Sequence, residues 1–253
     1  MIQNLIRLMH KLPYFKGKES LLLMAQKWVR FAPSFYGPLM LSRSVDFTNR
    51  ACYLGYYGDE LAKIIRTMPR DGIFLDFGAN QGLYSLLAAQ HLSAGKVYSF
   101  ETNSSVFSDL VANINENGLK NVVPFNFGVA AKTDLVGMVV EEGHTGGGRI
   151  EQSGEPTALL VDIDAVYQRL PVDAAKTVVC KIDTEGSEFI ILNMLSASGM
   201  LDGITTAFVE IDDKNLAQMD CTAAQIYELM KKNGFSTRYK LGHSEHYDEV
   251  WSR

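Results

Sequence analysis

The stretch IFLDFGANQGLYSLLAAQ, residues 73–90, decides the fold of this chain. Its apolar beginning is typical of a buried β-strand, and its second half has the apolar spacing of an α-helix. Gly78 and Gly82 lie between the two halves, where a strand would turn into a helix. Such a turn places bare backbone and a helix N-terminus at the carboxyl edge of a sheet, where open α/β sheets bind ligands.

The same alternation of strand and helix continues along the chain. Apolar runs predict strands over 72–77, 96–101, 121–127, 177–183 and 205–211, and helical spacing predicts helices over 83–92, 104–117, 188–195 and 223–233. The last residues, 236–253, have the pattern of a hairpin at the sheet edge. We therefore predict an α/β fold with a mostly parallel sheet and crossover helices.

One interval breaks this alternation, because about 50 residues separate the third and fourth predicted strands. It contains EEGHTGGGRI at 141–150 and TALLVDI at 157–163. We expect a flexible glycine tip between two extra strands, since inserts of this kind often carry binding residues. A plain hairpin loop is the alternative.

Composition limits the classes of protein that the chain can belong to. With 253 residues, 47% of them hydrophobic, it can bury one sizeable core. Residues 1–70 hold 11 Lys and Arg against 4 acids, whereas the rest hold 13 against 25. An acidic main domain repels phosphates, so we expect no nucleic-acid partner. The three cysteines form no CxxC pair, which indicates a reducing, cytoplasmic location without disulfides or zinc.

The N-terminal segment differs from the main domain in charge and pattern. Residues 1–30 are basic and amphipathic, with leucines beside Arg7 and Lys11. The apolar run at 21–25 is too short to span a bilayer, and no signal peptide is evident. We predict a basic amphipathic helical arm over 1–44 that packs on the domain or on a second subunit. Peripheral membrane contact through its first 30 residues is the alternative.

The glycine turn has its own ligand preference. A dinucleotide fingerprint would carry glycine at Asn80, and a pyrophosphate would avoid the carboxylate of Asp76, two residues before Gly78. S-adenosylmethionine carries an ammonium and a sulfonium, which pair with such an acid. Glu101, after the next strand, can accept both ribose hydroxyls, a role found in NAD and S-adenosylmethionine sites alike. These residues together favour the methyl donor, with an NAD-dependent oxidoreductase as the rival.

Several segments resemble those of the FkbM-type methyltransferases, which depend on S-adenosylmethionine. They are LDFGANQGLYS at 75–85, FE at 100–101, NFGVAA at 126–131 and CKIDTEGSE at 180–188, of which the last is the most specific. The resemblance implies a Rossmann-like class I fold with a mostly parallel seven-stranded sheet, a C-terminal antiparallel hairpin and an N-terminal helical arm. The methyltransferase domain would span 45–253. The family mostly methylates hydroxyl oxygens of sugars or natural products.

The resemblance also implies a cofactor site. Asp76, Gly78, Asn80 and Gly82 would hold the methionine part, Glu101 the ribose and Asn126 the adenine end, and Ala79, Thr102, Gly128 and Asp183 complete the predicted set.

Catalysis needs a group that takes the proton of a weakly nucleophilic hydroxyl. A carboxylate within hydrogen-bond reach can do so, and Asp183 and Glu185 follow a central strand at the rim where the donor would lie. His144, in the glycine-rich insert, is the second candidate base, since its ordinary pKa suits the task. We therefore expect Asp183, Glu185 and His144 to be the catalytic residues.

Other functions remain open for some of these side chains. Asp183, Glu185 and Glu188 could hold Mg²⁺, or Asp183 could only bind the cofactor while Glu188 caps a helix. His243 and His246 form a weak H-x-x-H pair, and we predict no metal site. Glu210 and Asp212 would line the acceptor cleft.

The sequence thus predicts an S-adenosylmethionine-dependent methyltransferase acting on a hydroxyl of a sugar, glycan or secondary metabolite. The alternatives are a non-catalytic cofactor-binding or membrane-associated partner protein and the NAD-dependent oxidoreductase.

Overall fold

The computed structural model describes residues 1–151, 155–242 and 245–253. The helices are α1 Ile2–Lys11, α2 Lys18–Gln26, α3 Phe47–Leu54, α4 Glu60–Thr67, α5 Leu83–His91, α6 Ser104–Glu116, α7 Ile163–Tyr167, α8 Glu188–Ala197, α9 Met200–Gly203, α10 Asp213–Gln218 and α11 Ala223–Lys232. The strands are β1 Phe31–Pro33, β2 Leu39–Leu41, β3 Ile73–Phe77, β4 Lys96–Phe100, β5 Val122–Phe125, β6 Gly128–Ala130, β7 Asp134–Glu141, β8 His144–Glu151, β9 Ala158–Asp162, β10 Val178–Ile182, β11 Thr206–Asp212, β12 Ser236–Gly242 and β13 His246–Ser252.

A seven-stranded sheet in the order β12-β13-β11-β10-β3-β4-β5 forms the centre of the molecule. The strands from β11 to β5 run parallel, and β13 runs antiparallel between β11 and β12. The predicted α/β class, the mostly parallel seven-stranded sheet and the C-terminal hairpin are confirmed. Each of the five predicted strands overlaps its observed counterpart to within about two residues at either end.

The core lies on both faces of this sheet, which is why its central strands are continuous apolar runs. In β3, Phe74 packs into the cluster around α4 and α5, whereas Leu75 and Phe77 pack into the opposite cluster with β10 and β11. Successive side chains of a strand point to opposite faces, so β3 serves both clusters. Burying each such side chain contributes about 1.5–3 kcal/mol. This packing fixes the position of the glycine turn that follows.

The insert between β5 and β10 forms a second sheet, in the order β6-β9-β7-β8. The predicted flexible glycine tip is wrong: Gly146 to Gly148 lie within β8, and the turn before it falls at Glu142 and Gly143. A Cβ at position 146 would lie 2.7 Å from Thr48 Oγ1. Glycine there permits a close approach of backbone to α3 rather than a mobile loop.

The N-terminal segment, residues 1–44, holds two helices and the short antiparallel pair β1–β2. Ile6 and Leu22, one from each helix, are buried against Ala32 and Tyr53. The segment is thus helical in its first part and extended in its second. Within the described ranges, no helix is long and apolar enough to cross a membrane.

Candidate active site

The glycine turn after β3 fits only glycine at two positions. Gly78 has a φ of +78°, and a Cβ there would lie 1.8 Å from the backbone oxygen of Asp183. Gly82 has a φ of +90° and precedes α5, and a Cβ there would lie 2.3 Å from Leu110 Cδ1. The turn is therefore pressed against the end of β10 on one side and against α6 on the other.

A cavity of about 500 Å³ opens above this turn, at the carboxyl edge of the parallel strands. Nine of the predicted site residues line it: Gly78, Ala79, Asn80, Glu101, Thr102, Gly128, His144, Asp183 and Glu185. Three others, Asp76, Gly82 and Asn126, lie beneath or beside it and hold the lining residues in place. The cofactor and catalytic roles of these residues stay predictions.

Asp76 is buried under the turn beside a buried lysine. Its Oδ2 accepts a hydrogen bond of 2.5 Å from Ser85 Oγ, and its Oδ1 lies 3.4 Å from Lys181 Nζ. Lys181 also lies 3.2 Å from Asp183 Oδ2 and donates to the backbone oxygen of Gly78. Burial opposes the charge of Lys181, but the two carboxylates outweigh it and raise its pKa above the usual value. Lys181 thus ties together the ends of β3 and β10.

Glu101 is the acid at the end of β4. Its Oε2 accepts from the backbone N–H of Asn80 at 2.8 Å, and its Oε1 accepts from that of Asn103 at 2.7 Å. Burial raises its pKa to about 7, against the opposing effect of these two hydrogen bonds. Each oxygen has a second lone pair, so the carboxylate can still accept two hydrogen bonds from the hydroxyl groups of a ligand.

Asn126 supports this edge of the cavity through hydrogen bonds. Its Nδ2 donates to the backbone oxygen of Glu101 at 2.9 Å, and its Oδ1 accepts from Ser104 Oγ. A Cβ at Gly128 would lie 2.9 Å from Thr102 Oγ1. The close approach of Gly128 to Thr102 therefore narrows the cavity where the adenine end is predicted.

We call Asp183, Glu185 and Glu210 the acidic cluster, because they offer carboxylate oxygens that lie within 4.8 Å of one another. Glu185 Oε2 accepts from Asn215 Nδ2 at 2.8 Å, and Glu210 Oε1 lies 2.9 Å from His246 Nε2. Of the described residues, none hydrogen-bonds to Glu210 Oε2, which is buried. The cluster crowds three carboxyl groups at the cavity wall, where Lys181 pairs with Asp183 and His246 lies beside Glu210.

Crowding of these carboxylates shows in their pKa values. Burial, followed by the charges of Asp183 and Glu188, raises the pKa of Glu185 to about 8. Burial and Asp183 likewise raise the pKa of Glu210 well above its usual value. Asp248, opposite Glu210 in β13, has its pKa raised to about 7 by burial and by Asp183. A proton can therefore reside on this wall near neutral pH.

The remaining candidate residues take different places. Glu188 accepts hydrogen bonds from the backbone of Thr184 and Gly186, so it holds the loop before α8. His144 begins β8 and lines the cavity with its ring 5.3 Å from that of Phe47, edge to face. His243 lies outside the described residues, so the structure gives no account of its pairing with His246.

A polar network that the sequence did not reveal joins three distant segments at the cavity rim. Asp46 Oδ2 accepts from the backbone N–H of Thr145 at 2.8 Å, and its Oδ1 accepts from Asn49 and Gln81. Thr145 Oγ1 also lies 3.4 Å from Asn80 Oδ1. These contacts fix the insert to the glycine turn. Lys181 in the strand VVCKI and Asp76 in IFLDF are sequence signals of buried polar chemistry, but neither belongs to this network or reveals it.

Residues 76–237 match the model of the methyltransferase FkbM domain, which covers more than half of the chain. The chain therefore belongs to the FkbM methyltransferase family, and the resemblance seen in the sequence is confirmed. Its cofactor is S-adenosylmethionine. No curated protein matches the sequence at a significant level.

Three solved structures are similar to this chain at low sequence identity. A putative rRNA-methylase from Clostridium thermocellum has 11% identity, with 78% of this chain and 94% of that chain covered and a TM-score of 0.48. Trm5b from Pyrococcus abyssi has 14% identity, with 85% and 53% covered and a TM-score of 0.46. TYW2 from M. jannaschii, in complex with AdoMet, has 14% identity, with 77% and 75% covered and a TM-score of 0.38.

The residues at the cavity fit S-adenosylmethionine. Gly78, Ala79 and Asn80 place the main chain of the turn at the wall of the cavity of about 500 Å³, which has room for a ligand against this backbone. Glu101 offers oxygens to a ribose, and the negative charge of Asp183 suits a cationic donor. Such a ligand would lie along the turn between Gly128 and Asp183.

Proposed function

We propose that this protein transfers a methyl group from S-adenosylmethionine to a hydroxyl oxygen of a sugar, glycan or secondary metabolite. The observation that carries the proposal is the acidic cluster at the wall of the cavity, next to the glycine turn. A hydroxyl is a poor nucleophile until a base takes its proton, and this wall holds carboxylates suited to that task.

Among the candidate bases, Glu185 fits the role best. Asp183 lies 3.2 Å from Lys181 and stays paired, whereas Glu185 has a pKa of about 8 and can exchange a proton near neutral pH. Its φ of +57° is unusual for a non-glycine residue, and Asn215 fixes its carboxylate. S-adenosylmethionine supplies the electrophilic methyl group when bound. Glu185 would accept the hydroxyl proton, a contribution of about 10²–10⁴ in rate.

The insert supplies the rest of the acceptor environment. Met138, Ile150 and Leu160 from β7, β8 and β9 line the cavity with apolar surface. Such walls exclude water and strengthen the electrostatic interactions inside. The acceptor would therefore lie between this apolar wall and the acidic cluster, with its hydroxyl toward Glu185.

The proposal is tested by methyl transfer from labelled S-adenosylmethionine to a panel of glycosides and polyketide alcohols. For Glu185→Gln we expect kcat to fall by about 10²–10⁴, with unchanged binding of S-adenosylhomocysteine measured by calorimetry. In the native enzyme kcat should rise with pH up to about 8, because the base must be ionised. The matched control is Asp213→Asn, an exposed carboxylate at the start of α10.

Two results would count against this assignment. Full activity of Glu185→Gln would remove the base role, and cofactor binding without transfer to any hydroxyl would favour a non-catalytic cofactor-binding protein. The acidic cluster could also hold a divalent cation, so the assays include a chelator. Activity lost with chelator and restored by Mg²⁺ would replace base catalysis by metal activation of the hydroxyl.

We also propose a cytoplasmic location and a small-molecule or glycan acceptor rather than nucleic acid. The three cysteines are buried and unpaired, which suits a reducing compartment. The acidic cluster at the cavity would repel a phosphate backbone. A filter-binding assay with RNA and DNA at low salt tests the second point.

A further inference from the structure

The N-terminal helices expose an unusual amount of apolar surface. More than half of the large hydrophobic side chains that are exposed among the described residues lie within the first 28 positions, although these are a small part of the chain. They are Met1, Ile2, Leu5, Leu8, Leu12, Tyr14, Phe15, Leu21, Met24 and Trp28. Single exposed apolar residues are ordinary, but a concentration of this kind marks an interaction surface.

The spacing of these side chains places them on defined helix faces. Leu5 and Leu8 of α1 share one face, and Leu12, just beyond the end of the helix, continues the i, i+3, i+7 pattern. Ile6 points to the protein instead and is fully buried. The chain therefore uses only part of the apolar arc of α1 for its own packing.

The second helix repeats this arrangement. Leu21, Met24 and Trp28 have the same i, i+3, i+7 spacing, and Trp28 is 76% exposed just beyond the end of α2. Leu22 packs inward. Tyr14, in the connection between the helices, is 77% exposed. Aromatic side chains with a polar end favour the interface between a lipid bilayer and water.

The charge of this segment suggests its partner. Residues 1–30 contain six Lys and Arg and only one acid, Glu19, within a chain of net charge -5. Arg7, Lys11, Lys16 and Lys27 are exposed beside the apolar faces. Long basic side chains extend their charge to lipid headgroups while their stems cover apolar surface. Apolar faces edged by basic residues bind anionic membrane surfaces.

We propose that residues 1–30 dock this protein on the surface of an anionic lipid bilayer, with Leu5, Leu8, Leu12, Leu21, Met24 and Trp28 entering the headgroup region. A second copy of this protein is a less favourable partner for residues 1–30 than a membrane. A symmetric dimer contact would bring two strongly basic segments together, and they would repel each other. The docking does not depend on the proposed activity, since it uses surface away from the cavity. It would bring the methyltransferase to acceptors held at a membrane.

The test uses the full-length protein and sedimentation with phosphatidylcholine vesicles, with and without phosphatidylserine. We expect binding to the anionic vesicles that is about tenfold tighter than to neutral ones and that weakens as salt rises. Leu8→Ser combined with Trp28→Ser should abolish it. The matched control combines Val45→Ser and Leu135→Ser, which remove equally exposed apolar side chains outside the arm.

A charge series separates lipid binding from nonspecific adhesion. Lys11→Gln, Lys16→Gln and Lys27→Gln together should weaken binding to anionic vesicles about tenfold or more, whereas Lys120→Gln, Lys231→Gln and Lys232→Gln should leave it unchanged. All these lysines are exposed, and thermal unfolding checks that each variant folds. Absence of binding by the native protein overturns the proposal. So does a dimer in solution that dissociates in the Leu8/Trp28 variant while vesicles bind neither form.

Discussion

The two walls of the cavity differ in how their polar groups are satisfied. On the donor wall, Asp76 Oδ2 accepts a hydrogen bond from Ser85, and its Oδ1 has no hydrogen bond from the described residues but lies 3.4 Å from the cationic Lys181 Nζ. Both oxygens of Glu101 accept backbone N–H groups. On the acceptor wall, the acidic cluster crowds carboxylates together, and Glu210 Oε2 is buried without a hydrogen bond from the described residues. The donor wall contributes to stability, whereas the acceptor wall stores unfavourable charge that chemistry can use.

The largest effect that would test this contrast is a side chain at Gly78. Gly78→Ala should lower the free energy of unfolding by about 4 kcal/mol or more and abolish binding of S-adenosylhomocysteine, because its Cβ would collide with the backbone of Asp183. Gly234→Ala is the matched control. Its φ of +80° is similar, but nothing lies within 4 Å, so we expect about 1 kcal/mol. Denaturant titration measures the stability of both variants, and calorimetry measures their cofactor binding. Equal losses of stability in the two variants would show that the collision with Asp183 does not set the effect at Gly78.

The next effect concerns the buried lysine of the donor wall. Lys181→Met should destabilise the protein by about 3 kcal/mol, since it leaves Asp76 and Asp183 without their cation. Lys176→Met, an exposed lysine just before the same strand, should change stability by less than about 0.5 kcal/mol. Urea unfolding curves give both values. If Lys181→Met left the free energy of unfolding unchanged, the two carboxylates would not need the lysine as their partner.

A change on the acceptor wall should have the opposite sign. Burial raises the pKa of Glu185 to about 8, above the unfolded value of about 4.3, so the folded protein holds this proton longer. The stabilisation of the folded protein by this bound proton is therefore fully present below about pH 4, and it is lost as the pH rises toward 8. Glu185→Gln should stabilise the protein by about 1 kcal/mol at alkaline pH and have no effect in acid. Unfolding measured across this range checks the sign, and a loss of stability at alkaline pH would contradict it.

The smallest effect tests the link between the two walls. Thr145→Val removes the hydroxyl that contacts Asp46 and Gln81 but keeps the backbone bond to Asp46, so we expect a loss of about 1 kcal/mol. KM for the acceptor should rise severalfold while kcat changes less, because the insert loses a contact to the turn. Thr157→Val, at an exposed position just before β9, is the comparison variant. An effect on kcat alone would place Thr145 in the chemistry instead.

The parts of the fold that the sequence predicted are local in the chain. The strand, glycine turn and helix at 73–90 follow from one stretch, and Glu101 follows the next strand. The network of Asp46 and Thr145 joins residues 99 positions apart, so no spacing in the sequence reveals it. The acidic cluster is intermediate: Asp183 and Glu185 are neighbours, but Glu210 joins them only through the pairing of β10 with β11.

The wrong expectation for the insert has a physical reason. Consecutive glycines usually indicate a flexible turn, because glycine loses the most backbone entropy when it is ordered. Here the backbone N–H of Gly146 donates to Thr48 Oγ1 at 2.8 Å, and the absence of a side chain at Gly146 lets β8 lie against α3. The same composition thus serves flexibility in one context and close packing in another.

The position of the insert has a consequence for how this enzyme could diversify. The β7–β8 hairpin leaves the domain after β6 and returns through β9, and these two strands are themselves paired, with Val129 beside Val161. A segment whose two ends meet on neighbouring strands can be exchanged for another of different length without shifting the central sheet. Exchange of residues 134–151 would therefore change the apolar wall that faces the acceptor under the proposed function, while the central sheet keeps its strand order.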